Sequence, residues 1–214
     1  MRKTLLSIAA ASVATLAMTT PSTAGTHESA AGIANPPSAA EQRADHSWTL
    51  DYPDAEQHPA DPSNYTAASR PDSNSIDYVV IHVTQGSWAG SLSWFQNPDS
   101  DVSAHYTIRS SDGKVAQSVD EQDIAWHAGN WSYNQTSVGI EHEGWVDDPA
   151  WFTDAMYESS ARVTAHLVST YGIPVDRDHI IGHVEVPGAT HTDPGPHWDW
   201  DKYMGLVSQF AAAA

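Results

Sequence analysis

Three observations in the sequence predict an α/β (α+β) fold, with a central mixed β-sheet flanked by helices. Residues 76–83, IDYVVIHV, form a continuous β-branched run that is typical of a buried central strand. Residues 153–171 carry an apolar stripe at helical spacing. The elements follow one another as strand, helix, hairpin, strand, helix, strand and helix, and this order favours a sheet with helices packed over it.

The first half of the predicted domain contains a helix and a hairpin. Residues 87–96, SWAGSLSWFQ, suit a short helix that ends before Pro98. Residues 102–109 and 114–119 read as two strands joined by a turn in which Gly113 supplies the positive φ. We expect residues 120–130 to form an irregular loop.

The second half contains the most informative strand. Over residues 136–143, TSVGIEHE, the apolar side chains alternate with Glu141 and Glu143, which share the opposite face. Two acids on one face of an interior strand are costly unless they meet a cleft, a cation or donors. A helix over 153–171, a strand over 178–183 and a closing helix over 199–210 complete the domain.

The N-terminal part divides into three segments before the domain at 76–210. Residues 1–24 combine a basic start, an apolar stretch and Ser22-Thr23-Ala24, the pattern of a cleaved signal peptide. We therefore expect a secreted, extracellular protein without a membrane anchor after cleavage. Residues 25–45 have the composition of a disordered linker, and residues 46–75 that of an extended arm lying on the domain.

Composition limits the classes of partner and of metal site. The formal net charge of −18 argues against nucleic acid as a partner. The chain has no Cys, so a metal site must use His, Asp or Glu. Nine Trp and eight Tyr are many for this length; most should pack in the core, and some should line a groove for sugars or peptides.

Two predicted strand ends and one rigid loop can supply a metal site. His82 ends the first core strand, and His183 follows the last strand. Asp193 opens a loop stiffened by Pro194 and Pro196. If the two strands are parallel neighbours, these side chains meet at one sheet edge, and His82, His183, Asp193 and one water make an open tetrahedral zinc site. His197 is a weaker alternative to Asp193.

Hydrolysis at such a site also needs a proton acceptor and an oxyanion donor. Glu141 faces the cleft and can accept a proton from the attacking water, or it can orient a His ligand, a role that Glu143 can also fill. His191 can donate to an oxyanion, or it is only an exposed loop residue. The residues alone therefore indicate metal-assisted hydrolysis in an aromatic-lined cleft.

Five segments together resemble a known family. They are VVIHVTQG (79–86), SAHYTIRSSDG (103–113), AWHAGN (125–130), SVGIEHEG (137–144) and GHVEVPGATHTDPGPHWDW (182–200). They are similar to the zinc-dependent N-acetylmuramoyl-L-alanine amidases of amidase type 2, which include the peptidoglycan recognition proteins. The resemblance covers residues 76–207, nearly all of the predicted domain.

The resemblance implies a role for each candidate residue. It assigns His82, His183 and Asp193 to one zinc ion per chain and Glu141 to catalysis. His191 stands where the family often has a Lys, and it would be the second catalytic residue. Trp126 and His127 match the substrate-groove loop, and we expect His105 to contact substrate as well.

The implied reaction is hydrolysis of the amide between N-acetylmuramic acid and the L-alanine of the stem peptide. The expected partner is peptidoglycan, both glycan strand and stem peptide, and the enzyme is expected to be a wall-associated monomer. Two alternatives remain open, a non-catalytic peptidoglycan-binding module and a secreted zinc peptidase. The absence of an H-E-x-x-H motif counts against the common zinc peptidases.

Overall fold

The computed structural model describes residues 49–213, which build a six-stranded mixed sheet and a separate two-stranded one. The signal-peptide and linker predictions lie outside the described residues. In chain order the strands are β1 (Glu56–Gln57), β2 (Tyr65–Thr66), β3 (Tyr78–Val83), β4 (Tyr106–Ile108), β5 (Val115–Gln117), β6 (Ile124–Ala125), β7 (Ser137–His142) and β8 (Ile180–Gly182). The large sheet has the order β1-β5-β4-β7-β3-β8, and β2 pairs with β6.

Within residues 49–213, four α-helices connect or cover the strands. They are α1 (Trp88–Phe95), α2 (Trp131–Thr136), α3 (Asp154–Tyr171) and α4 (Trp200–Ala211). Helix α3 begins where the sequence predicts, because the Thr153 side chain caps it by accepting from the Met156 N–H. It ends at Gly172, whose φ of 71° is the left-handed conformation that glycine adopts without strain.

The sheet separates an apolar core from the face that carries the candidate site. Alternate side chains of β3, Val79 and Ile81, are fully buried in the core with Tyr157 and Leu167 of α3. Successive side chains of a strand point to opposite faces, so Val80 and His82 face the other side. The same alternation assigns Glu141 of β7 to the side of His82.

The central strands are parallel, as the metal-site prediction requires. Strand β3 pairs in parallel with β7 on one side and with β8 on the other. In this register His82 lies opposite Glu141, and Ile81 lies opposite Gly182. His183 directly follows Gly182, so the carboxyl ends of three adjacent strands bring His82, Glu141 and His183 to one edge.

Two details differ from the sequence prediction. The segment predicted as an irregular loop, 120–130, contains β6, which pairs with β2 of the arm through Tyr65 and Ala125. Helix α2 directly precedes β7 and was not predicted, because its six residues are too few for a helical period to show. The arm also adds β1 in parallel to β5, at the outer edge of the large sheet.

The search for membrane-spanning helices covers the described part of the chain only. Between residues 49 and 213, no helix combines the length and the apolar character that crossing a bilayer demands.

Candidate metal centre and active site

Three side chains converge at the carboxyl edge of the sheet. His82, His183 and Asp193 are buried, and each offers a ligand atom within 4.8 Å of the others. His82 Nδ1 lies 3.2 Å from Asp193 Oδ2, and His183 Nδ1 lies 3.2 Å from Asp193 Oδ1. Donor atoms about 2.0 Å from a tetrahedral ion lie about 3.3 Å apart. Each imidazole nitrogen lies near that distance from one of the two carboxylate oxygens of Asp193, so the three side chains are close enough to share one zinc ion.

The hydrogen bonding of His183 also fits a metal ligand. Its Nδ1 is buried and, despite the short distance to Asp193, makes no hydrogen bond of acceptable geometry. A buried polar nitrogen without a partner is costly, and a cation at the centre of the cluster would satisfy it. Two imidazole nitrogens and one carboxylate form a donor set that zinc accepts, with one position left for water.

A close approach of two chain segments places Asp193. A Cβ at Gly182 would lie 2.6 Å from Pro194 Cδ, so only glycine lets the loop pack directly against the end of β8. The Val184 N–H then donates to the Asp193 carbonyl at 2.9 Å, which fixes the loop to the turn after β8. The Val83 N–H donates to Asp193 Oδ2 at 3.3 Å and links the loop to β3.

The charges within the cluster favour an ionised Asp193. Burial opposes ionisation, but the neighbouring His183 and His82 rings outweigh it and hold the pKa of Asp193 below its usual range. For His82, burial is the largest effect and lowers the pKa although Asp193 raises it. A carboxylate next to neutral imidazole is the protonation state that metal binding requires.

Glu141 lies beside this cluster with no hydrogen-bond partner for Oε2, which is buried. Burial, followed by the negative charge of Asp193, raises the pKa of Glu141 well above its usual value. A carboxyl group with a raised pKa and an unpaired oxygen in a cleft is suited to proton transfer. Glu143 differs, since its two oxygens accept from the Trp88 and Ser110 N–H groups and hold the base of α1.

The cluster opens into two adjoining recesses of about 500 and 540 Å³. Trp126 and His191 line both recesses. Trp94 lines one and Trp131 the other, with 52% and 51% of their surfaces exposed. Exposed aromatic side chains therefore line the cleft together with the polar cluster, and aromatic lining is what the composition predicts.

Three of the remaining candidates occupy different places. His191 is exposed at the mouth of the cleft, with its ring centroid 4.9 Å from that of His183. His197 is exposed and lies outside the three-residue cluster. His105 is fully buried; its Nδ1 accepts from the Gly139 N–H and its Nε2 contacts Arg70, so the expectation that His105 touches substrate does not fit its position.

The loop residues Trp126 and His127 line the cleft, but both are held by protein groups. The Trp126 indole donates to Thr66 Oγ1 of the arm at 3.0 Å. The His127 Nδ1 lies 2.9 Å from His82 Nε2, the ring nitrogen of His82 that does not face Asp193. Sequence reasoning missed this second contact, which no local pattern signals because 45 residues separate the two rings.

Comparison with known proteins shows to which family the chain with this cluster belongs. The family model described as N-acetylmuramoyl-L-alanine amidase matches residues 72–196, more than half of the chain. N-acetylmuramoyl-L-alanine amidase A of Achromobacter lyticus is 38% identical over 176 residues, which cover 74% of this chain and 96% of that protein. The chain belongs to the N-acetylmuramoyl-L-alanine amidase family. It is a peptidoglycan amidase, as the sequence segments predict.

Solved structures extend the similarity of the amidase to three dimensions. The crystal structure of a Se-Met AmpD derivative matches with a TM-score of 0.61 and 29% identity, over 73% of this chain and 96% of that one. AmiD from E. coli, solved with anhydro-N-acetylmuramic acid-L-Ala-D-gamma-Glu-L-Lys, matches with a TM-score of 0.52 and 25% identity, over 61% and 57% of the two chains. The mixed sheet flanked by helices is thus the fold of this family.

Proposed function

We propose that this amidase is a secreted zinc enzyme that cleaves the bond between N-acetylmuramic acid and L-alanine in peptidoglycan. The observation that carries the proposal is the buried cluster of His82, His183 and Asp193, whose side chains are close enough to share one zinc ion. A zinc ion bound there would lower the pKa of a coordinated water and polarise the scissile carbonyl.

Two side chains next to the cluster supply proton transfer and stabilisation of the oxyanion. Glu141 Oε2 accepts the proton of the attacking water and returns it to the nitrogen of the leaving L-alanine. His191, at the mouth beside His183, donates to the oxyanion that develops on the carbonyl. We expect His191→Ala to lower the rate about a hundredfold while metal binding persists.

The shape of the cleft supports a substrate with both sugar and peptide parts. Exposed Trp94 and Trp131 each line one of the two recesses, and aromatic faces stack on sugars and on peptide groups. The AmiD relative was solved with a muramyl peptide that contains both parts. We propose the glycan strand and stem peptide of peptidoglycan as the substrate and a monomer as the active form.

A wall-digestion assay tests the activity and the metal together. Purified protein should release free amino termini from cell walls, and mass spectrometry should find intact stem peptides that begin at L-alanine. A chelator should abolish release, and zinc should restore it. Stem peptides cut internally would instead indicate a zinc peptidase, and binding without release a non-catalytic module.

Variants of the cluster make the assay specific. His82→Ala and Asp193→Ala should lose zinc and activity together, because each removes one of three protein ligands. His197→Ala is the matched control, since it removes an exposed His four positions beyond Asp193 that lies outside the cluster. Retention of zinc by the Asp193 variant would contradict the proposed ligand set.

Export is tested separately, because residues 1–24 lie outside the described structure. We expect the protein in the medium or the wall fraction to begin after Ala24, as the A-x-A-like site indicates. N-terminal sequencing of the exported protein decides this point, and an intact start at Met1 would argue against a cleaved signal peptide.

A further inference from the structure

We infer that His127 is a positioning residue of the metal centre: it holds His82 in the tautomer that leaves Nδ1 free for the ion. The inference rests on the proposed zinc site and reassigns a side chain that the sequence places in the substrate groove. The inference is based on three hydrogen bonds in series and on the close approach of the β7 backbone to the His127 ring.

The direction of the hydrogen bonds follows from the end of the series. Ser137 Oγ donates to the Tyr133 carbonyl at 2.5 Å, and a carbonyl can only accept. The single hydroxyl proton of Ser137 is therefore used. The contact of 3.2 Å between Ser137 Oγ and His127 Nε2 must then have the ring nitrogen as donor.

A neutral imidazole carries one N–H, so His127 Nδ1 is left as an acceptor. Its partner is His82 Nε2 at 2.9 Å, which must donate. His82 then has its proton on Nε2 and a lone pair on Nδ1, the atom that lies 3.2 Å from Asp193 Oδ2. Two atoms that both carry lone pairs face each other there, and a cation between them resolves the repulsion.

The position of the His127 ring is fixed by its surroundings. Asn134 Oδ1 accepts from the His127 and Ala128 N–H groups at 3.2 and 2.8 Å, which holds the loop backbone. A Cβ at Gly139 would lie 2.5–2.7 Å from three atoms of the His127 ring. The ring thus rests directly on the backbone of β7, and any side chain at position 139 would displace it.

The first test measures metal affinity rather than turnover. His127→Leu removes the acceptor and should weaken Zn²⁺ binding, measured by competition with a chelator, by about 10- to 100-fold. His127→Asn offers an amide oxygen close to the position of Nδ1 and should recover most of that loss. A groove residue would behave differently: KM would rise, and the affinity for zinc would stay unchanged in both variants.

The second test uses the unaltered enzyme and so does not depend on the folding of a variant. Imidazole ¹⁵N shifts of the metal-free and zinc-loaded protein should show His82 with its proton on Nε2 in both states. A proton on Nδ1 of His82 in the metal-free protein would overturn the inference.

The outcomes separate this inference from the function on which it rests. If the unaltered protein binds no zinc, the proposed metal centre fails. If the unaltered protein and His127→Leu bind zinc equally well, the metal centre stands and only the role of His127 fails.

Discussion

Two buried polar clusters in the described part of the chain differ in their hydrogen bonding. The metal cluster, defined as His82, Glu141, His183 and Asp193, contains buried atoms without hydrogen-bond partners, namely His183 Nδ1 and Glu141 Oε2. The arm cluster, defined as Arg70, His105, Tyr106, Glu121 and Tyr171, contributes none of the unpartnered buried side-chain atoms found in residues 49–213.

Arg70 and two tyrosines pair the polar groups of the arm cluster. Its guanidinium donates to the backbone carbonyls of Glu121, Asp123 and Ser137 at 2.6–2.7 Å and reaches two further carbonyls of α2 at 3.3 Å. Both oxygens of Glu121 accept from tyrosines, Tyr106 at 2.5 Å and Tyr171 at 2.6 Å.

This contrast distinguishes buried polar groups that stabilise the fold from buried polar groups that bind a ligand. A cluster with every group paired stabilises the fold, whereas a cluster with open atoms is completed by something that binds. The two clusters should therefore respond in opposite ways to mutation. Changes in the metal cluster should affect turnover and zinc, and changes in the arm cluster should affect stability.

The largest effect is expected at Glu141. Glu141→Gln should lower kcat by about 10²- to 10⁴-fold while zinc content stays unchanged, because only proton transfer is lost. Glu143→Gln, directly after the same strand, is the control, with kcat near that of the unaltered enzyme. The rate of wall digestion and the zinc content of each variant test this prediction. A near-normal rate for Glu141→Gln would show that Glu141 is not the proton acceptor.

Substitution of Arg70 should lower stability rather than the turnover rate. Arg70→Ala leaves several buried carbonyls without donors and should lower the free energy of unfolding by about 3–5 kcal/mol. Arg109→Ala, which breaks an exposed pair with Asp112, should cost no more than about 1 kcal/mol. Urea denaturation measures both, and equal costs would show that the arm cluster contributes nothing beyond a surface pair.

Zinc itself should stabilise the fold through the metal cluster. A ligand that binds only the folded chain adds about 4 kcal/mol at a free concentration a thousand times its Kd. Calorimetry should therefore show Tm rising with zinc for the unaltered protein and for Arg70→Ala. Asp193→Ala should show no such rise, and a rise of equal size would place the bound ion elsewhere.

The smallest effect concerns pH and the arm cluster. Burial raises the pKa of Glu121 to about 7 although the two tyrosines lower it. The folded chain therefore keeps a proton that the unfolded chain releases near the ordinary glutamate pKa of 4.5, so stability should fall as pH rises from about 4.5 to about 7 and change little above that.

Replacing Glu121 isolates that contribution. Glu121→Gln cannot ionise, and the loss of stability between pH 5 and pH 8 should shrink by about 1–3 kcal/mol. Urea titrations at several pH values provide the comparison. If both proteins lose stability equally over this range, another group titrates.

Local sequence patterns were sufficient for the main elements and for the cluster at the strand ends. The β-branched run at β3, the Thr153 cap and the Gly172 end are local signals, and the structure has all three. The sequence leaves the parallel pairing of β3 with β8 as a condition for joining His82 to His183, and the structure fulfils that condition.

The arm cluster and the role of His127 could not be predicted, because each depends on contacts between distant segments. The Arg70 side chain meets carbonyls 51 to 67 positions away, and no periodicity marks a residue that pairs with backbone. The His127 ring packs on Gly139 only after β7 and the preceding loop have come together.

The parallel pairing of β1 with β5 also bears on where the folding unit begins. The match to the family model starts at residue 72, yet Arg70 and both arm strands precede it. A recombinant chain trimmed to that boundary would lose its main internal cation and leave the edge of β5 open to other chains, which invites aggregation. The domain that folds is longer at its front than the segment matched by the family model alone.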